Sequence, residues 1–174
     1  MTKPRLASIW LDGCSGCHMS FLDIDERLVE LAHLVEFVWG PFVDMKKFPE
    51  AVDITLVEGA VSSEEDLHKL RMVREHSKML IAFGDCAITG NVPAMRNPFG
   101  VQACLERAYI ENVTENAQLP GPEVPALLPR TTPVHEIVKV DAFLPGCPPS
   151  ADLIWATVTA LLEGRPLEST AKFG

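Results

Sequence analysis

Cations are scarce in this chain. Lys and Arg total 15 against 24 Asp and Glu, a formal net charge of −9. That balance argues against nucleic-acid binding, which needs clustered Lys and Arg to neutralise phosphates, and equally against a polybasic membrane-surface module. Long apolar runs are missing too. The most apolar stretch, Leu153 to Leu162, is interrupted by Thr157 and Thr159 and falls far short of the ~20 residues that span a bilayer. Neither G-x-x-x-x-G-K-[ST] nor G-x-G-x-x-G occurs, so nucleotide binding has no motif behind it. No internal repeat or low-complexity tract is present. Met1 to Arg5 leads straight into a strand-like run, without an apolar h-region or a small-residue cleavage site, so a cytoplasmic location is expected. What remains is 47% hydrophobic and 22% charged over 174 residues, which suits one globular domain, 1–174, with a sizeable core.

Hydrophobic periodicity alternates between two and 3.6 along the chain. Arg5 to Leu11 reads as a strand stopped by Asp12-Gly13, and His18 to Leu34 carries apolar residues at helical spacing. Val35 to Trp39 and Val52 to Val57 are short strands, the first closed by Gly40-Pro41. Ser62, with Glu65 three residues on, fits the start of a helix running to about Glu75. Met79 to Phe83 is an apolar strand, Val101 to Ile110 a helix, Val138 to Leu144 a last strand and Ser150 to Leu162 a last helix. Between them, the region 112–135 holds Pro120, Pro122, Pro125, Pro129 and Pro133 and reads as a Pro-rich surface loop. Strands alternating with helices need crossover connections. The expected fold is therefore α/β: flavodoxin-like, doubly wound, with a mainly parallel five-stranded sheet and helices on both faces.

Five cysteines need a reason in a reducing compartment, where metal or redox chemistry is the leading use. Cys14 and Cys17 follow the first strand, Cys86 follows the strand ending at Phe83, and Cys147 follows the strand ending at Leu144. In a parallel sheet those carboxyl ends share one edge, where doubly wound folds bind their ligands. Each cysteine is framed by glycine or proline: Gly13-Cys14-Ser15-Gly16-Cys17, Gly84-Asp85-Cys86 and Pro145-Gly146-Cys147-Pro148-Pro149. Glycine lets the main chain approach a bulky ligand and proline holds a loop in one shape. Four converging thiolates satisfy either zinc or an iron–sulfur cluster.

Other readings compete. Cys14-Ser15-Gly16-Cys17-His18 matches C-x-x-C-H, the attachment pattern of c-type haem, and a thioredoxin-like dithiol has the same C-x-x-C spacing; both leave Cys86 and Cys147 idle. Zinc sites usually come as two short-spaced pairs, whereas here one pair is short-spaced. The four could also be unrelated cysteines, at the cost of making their glycine and proline framing a coincidence. Cys104 has no glycine neighbour on its helix and reads as an inert buried thiol. His18 reads as a hydrogen-bonding or surface residue, and Trp10 and Trp155 as core or interface aromatics.

The blocks Trp10-Leu11-Asp12-Gly13-Cys14-Ser15-Gly16-Cys17-His18-Met19-Ser20-Phe21, Val57-Glu58-Gly59-Ala60, Gly84-Asp85-Cys86-Ala87 and Pro145-Gly146-Cys147-Pro148-Pro149 resemble the small subunit of [NiFe] hydrogenases, in particular the cytoplasmic, NAD-reducing (bidirectional) type. The resemblance implies that Cys14, Cys17, Cys86 and Cys147 hold a proximal [4Fe–4S] cluster. It also implies that the Ni–Fe centre, where hydrogen is split, lies in a separate large subunit. Electrons would then pass through this chain toward iron–sulfur and flavin diaphorase subunits and finally NAD. Relatives with a twin-arginine leader carry two further clusters in a C-terminal region; no cysteine follows Cys147 here, so one cluster is expected. Those relatives also have Glu before the first cysteine, where this chain has Gly13. That casts doubt on a proton route through that carboxylate, while Ser15 keeps a hydroxyl in the motif and Glu58 keeps the V-E-G carboxylate. An ionised Asp85 beside a ligand is expected to lower the cluster potential. Two alternatives stand beside this reading. One is the related iron–sulfur subunit of complex I-like quinone oxidoreductases, which typically has two adjacent cysteines in place of the C-x-x-C. The other is an FMN-binding electron carrier, which the flavodoxin-like fold invites but whose phosphate loop the C-x-x-C occupies.

Overall fold

The computed structural model describes residues 2–166; residue 1 and residues 167–174 of the expected single domain lie outside that range. In chain order the elements are β1 (Arg5–Trp10), α1 (Gly16–Leu22), α2 (Arg27–Leu34), β2 (Glu36–Trp39), β3 (Val52–Glu58), β4 (Val61–Ser63) and α3 (Glu64–His76). There follow β5 (Ser77–Phe83), α4 (Asp85–Thr89), α5 (Asn91–Ala94), α6 (Val101–Glu106), β6 (Leu127–Thr132), β7 (Ala142–Leu144) and α7 (Ala151–Leu162). The main sheet has the order β2-β1-β3-β5-β7, and every neighbouring pair is parallel. The chain winds one way from β1 to β2 and the other way from β3 through β5 to β7. The switch point therefore falls between β1 and β3, as in the expected flavodoxin-like order.

Period-two alternation makes two cores. Leu6, Ile54, Leu56, Ile81, Phe83 and Leu144 point to one face, where Phe21, Ile24, Leu31, Ile154 and Val158 from the α1–α2 segment and α7 cover them. Ile9, Val57, Leu80 and Ala82 point to the other, under Leu70 and Val73 of α3 and Ile88 of α4. Both faces of β5 are thus buried, which is why Met79 to Phe83 reads as an unbroken apolar run.

Several boundaries differ from the sequence expectations. The helical pattern of 18–34 is two helices, because the chain turns at Asp25, which adopts φ 55, while Ile24 still reaches the core. The N-cap of α3 is Ser63, not Ser62. Its hydroxyl accepts from Asp66 N–H at 3.1 Å and its own N–H donates to the Asp66 carboxylate at 3.0 Å, a capping box with Asp in the third position. The helix expected over 101–110 ends as α6 at Glu106 and widens into a π-helical turn over Arg107–Glu111.

The region expected as a loop over 112–135 contains a strand. β6 pairs antiparallel with β4, and the Asn97 side chain meets Thr131 like a strand neighbour, donating to its carbonyl at 2.9 Å and accepting from its N–H at 2.8 Å. Arg96 binds the carbonyls of Ser62 and Leu128, one on either side of the ribbon. A two-stranded edge tolerates Pro129, and that proline hides the strand from pattern reading.

The last strand is also shorter than expected. Val138 and Val140 pack partly buried against the core from a loop, so their apolarity reflects burial and not a ladder. The Asp141 carboxylate there accepts the Leu80 N–H at 2.9 Å and Arg74 Nη1 at 2.6 Å, and its own N–H bonds Leu80 O. Burial works to raise the Asp141 pKa, but the Arg74 and Leu80 hydrogen bonds outweigh it and hold the carboxyl below the ordinary range. A depressed folded-state pKa stabilises the protein above the unfolded value, near 4, and that stability is lost as pH falls through the depressed one. Thermal denaturation from pH 6 to pH 2 should therefore show a fall below about pH 4 that is shallower in Asp141→Ala, which at neutral pH is already less stable by about 2 kcal/mol. An unchanged pH slope in the variant rejects this role.

Candidate metal centre

Three loops beyond the carboxyl ends of β1, β5 and β7 bring their cysteines to one place. Cys14, Cys17, Cys86 and Cys147 line a small pocket of about 50 Å³ together with Gly16, Glu58, Asp85, Gly146 and Pro148. Cys17 and Cys86 are buried, Cys14 and Cys147 exposed.

Backbone hydrogen bonds set the loops. After β1, Leu11 N–H donates to Glu58 O, and Asp12 and Ala60 exchange N–H···O bonds of 3.0 and 2.7 Å, so the C-x-x-C loop lies across the turn that follows β3. Gly59 makes this crossing feasible, since a Cβ on it would stand 2.8 Å from Asp12 O. Ser15 occupies the left-handed region (φ 63) as the N-cap of α1 and makes no capping side-chain bond; its carbonyl accepts from Met19 N–H. Its role in the motif is thus a turn of the backbone that points Cys14 and Cys17 the same way.

The β5 and β7 loops clamp each other. Gly84 N–H donates to Leu144 O at 2.8 Å, Asp85 N–H to Gly146 O at 3.0 Å, and Gly146 N–H returns to the Asp85 carboxylate at 2.8 Å. Asp85, expected to act through its charge, also joins the Cys86 and Cys147 loops mechanically. Ser20 Oγ on α1 donates to Pro149 O at 2.5 Å and ties the first loop to the third.

Glu58 and His18 form a buried pair, Oε2 to Nδ1 at 2.5 Å, each side chain 2% exposed. The carboxylate reaches the pocket wall, and the imidazole sits edge-on to Phe42 and Phe83. The C-x-x-C-H pattern alone does not reveal this partner forty residues away; the signal is that β3, alone among the strands, ends in a carboxylate next to a glycine. Of the remaining residues singled out from sequence, Cys104 is half-buried on α6 instead of fully buried, because α6 presents no buried residue to either core. Trp10 is 48% exposed, and Trp155 packs at the edge of the first core with Arg27 over its ring.

The thiols hold one another back from ionising. Burial pushes the Cys17 thiol far above its ordinary range, and Glu58, Cys86, Cys14 and Cys147 add to the effect. Burial raises Cys86 to about 11, with Cys147, Cys14 and Glu58 contributing and the Val92 N–H opposing. Such a set becomes four thiolates only around a compensating positive charge. Among the described residues no three Cys, His, Asp or Glu side chains close tightly enough to grip a single metal ion. The four sulfurs stand around a pocket instead, an all-thiol donor set whose chemistry fits an iron–sulfur core. Larger cavities lie elsewhere; one of about 230 Å³, walled by Phe21, Phe37 and Phe42, has no thiol, acid or base in its lining.

Residues 14–161 match the family of the NADH ubiquinone oxidoreductase, 20 Kd subunit. The chain is 42% identical to the NAD-reducing hydrogenase HoxS subunit delta of Cupriavidus necator, over 95% of this chain and 82% of that one. It is 39% identical to a subunit of the F420-non-reducing hydrogenase vhu of Methanocaldococcus jannaschii over 92% of its length, but spans only 57% of that relative. In a crystal structure of an NAD+-reducing [NiFe]-hydrogenase in the H2-reduced state, one chain superposes with a TM-score of 0.93 at 42% identity, covering 99% of both. A [NiFeSe]-hydrogenase chain from Dm. baculatum, at 17% identity and a TM-score of 0.66, shares the fold.

Proposed function

This chain belongs to the family of the NADH ubiquinone oxidoreductase 20 kDa subunit, together with the hydrogenase subunits it resembles, and from that membership we propose that it is the electron-relay subunit of a cytoplasmic NAD-reducing [NiFe] hydrogenase. In this reading Cys14, Cys17, Cys86 and Cys147 hold one [4Fe–4S] cluster within a single domain. The Ni–Fe site belongs to a large-subunit partner, and iron–sulfur and flavin diaphorase subunits carry the electrons on to NAD. The single observation that carries it is the lining of one pocket by four cysteines drawn from three separate strand ends.

Bound there, such a cluster supplies a one-electron carrier whose potential depends on charge, hydrogen bonds and exposure. The chain's own residues do the rest. Cys17 and Cys86 are nine-tenths buried and keep water from the inner half of the site. The Asp85 clamp and the Ser20 bond fix the spacing of the loops. Glu58 is held at the pocket wall by His18, a buried carboxylate that disfavours added negative charge. Cys14 and Cys147 open outward, and Met19, Val92 and Met95, 58%, 62% and 68% exposed, follow Cys17 and Cys86 along the chain. Exposed apolar side chains of this kind suit a large-subunit interface of the obligate kind, often beyond ~2,000 Å². Among the described residues no helix is long and apolar enough to cross a membrane.

Metal analysis and absorption of the anaerobically purified protein test the reading. Expected are about four iron atoms per chain and a broad visible shoulder without resolved flavin bands. One zinc and no colour, flavin bands, or no metal at all would each overturn it.

A further inference from the structure

Two of the four pocket sulfurs receive an N–H. Gly16 N–H approaches Cys14 Sγ at 3.4 Å, and Asn91 Nδ2 donates to Cys147 Sγ at 3.4 Å. Of these two donors, Asn91 is the side chain, and its position is built. Gly90 at φ 82 turns the chain between α4 and α5, and Asn91 follows at φ 34, a backbone state that Asn tolerates better than most residues. Its N–H is held at 3.3 Å by Thr89 Oγ1, which itself donates to Asp85 O at 2.9 Å. The same Asp85 clamps the Cys147 loop. One relay of bonds thus links the ligand loop to the residue that caps its sulfur. A metal-bound thiolate has no proton to give, so the amide must present its NH2 side to it.

We propose that Asn91 is a potential-setting residue, raising the reduction potential of the cluster by donating its amide N–H to the Cys147 sulfur. The inference rests on the relay reading above. Reduction would add one electron to the unit of core and thiolates, drawn from the chemical titrant in the assay and, in the assembly, from dihydrogen as it is oxidised to protons at the partner's site; within this chain no bond or proton changes hands. The added negative charge spreads onto the sulfurs, where an N–H dipole stabilises it more than in the oxidised form.

The test is an EPR-monitored redox titration of the anaerobically purified complex, following the signal that disappears in Cys86→Ala. Asn91→Asp keeps the size and the backbone preference but aims a carboxylate at the sulfur. Asn91→Gly keeps the backbone and removes the donor. The Asp variant should disfavour reduction at least tenfold, a downward shift of about 59 mV for one electron. The Gly variant should shift the same way by less, and it decides the matter if the Asp variant fails to retain iron. Potentials within about threefold of wild type in equilibrium constant, or shifted upward, overturn the assignment. A wild-type complex with no signal traceable to Cys86 overturns the relay reading itself, and is told apart by the missing spectrum and not by its potential.

Discussion

Replacing Cys17 with alanine should strip the protein of its iron and reduce hydrogen-dependent NAD reduction by the complex at least ~100-fold, more than the loss of a partner outside the ligand set usually brings. Cys17 sits on the first turn of α1, only 7% exposed, against the inner core that holds Phe83 and Leu144. The residues packed behind it are apolar and offer no replacement ligand. Cys104→Ala is the matched control. That thiol lies on α6 and is not part of the pocket lining, so its variant should keep full iron and activity. Iron content and EPR of the anaerobically purified variants read the difference. A Cys17→Ala protein with its full iron complement would remove Cys17 from the proposed ligand set.

A second pair of variants separates backbone strain from site geometry. Gly84 and Gly100 both precede a helix, at φ 83, ψ 164 and φ 79, ψ 166, a region open almost solely to glycine. Around them the two differ completely. A Cβ on Gly84 would stand 2.2 Å from Cys17 Sγ, whereas one on Gly100 would meet nothing within 4 Å. Gly100→Ala should therefore cost about 2 kcal/mol of strain and leave iron unchanged. Gly84→Ala adds overpacking to the same strain, for a total of roughly 4 kcal/mol, and should lose the metal because Cys17 must swing out of line. Thermal denaturation and iron content, measured side by side, check both. Equal effects in the two variants would mean that the close approach of Gly84 to Cys17 does not matter.

The parallel sheet and the edge on which the cysteines gather were legible because each strand core is an apolar run and each cysteine block is punctuated by glycine or proline. Local chemistry with two equal candidates was not. Ser62 and Ser63 both offer a hydroxyl and both donate an N–H to the Asp66 carboxylate; what decides between them is that the Ser63 hydroxyl accepts the Asp66 N–H. β6 stayed hidden because its ladder is completed by the Asn97 side chain as much as by β4, a contact across thirty-four residues with no periodicity. At the site, the four clustered thiols and the nearby Glu58 and Asp85 can be read from spacing and topology, but the hydrogen bonds that hold them cannot. His18 meets Glu58 and Asn91 meets Cys147 only after folding; the carboxylate at the end of β3 marks Glu58, but nothing local marks His18 or Asn91 as its support or that of Cys147.

The pocket takes its last wall from β7, a three-residue edge strand joined to the sheet through Ile81, Ala82 and Phe83. During biosynthesis, Cys147 leaves the ribosome about sixty residues after Cys86, which at ~5–20 residues per second is a delay of roughly 3–12 s. For that interval the nascent chain presents three of the four pocket thiols, and the further thiol that emerges, Cys104, is not part of the pocket lining. On the proposed four-cysteine ligand set, loading with an iron–sulfur cluster would therefore come late, once the closing segment and α7 behind it have docked.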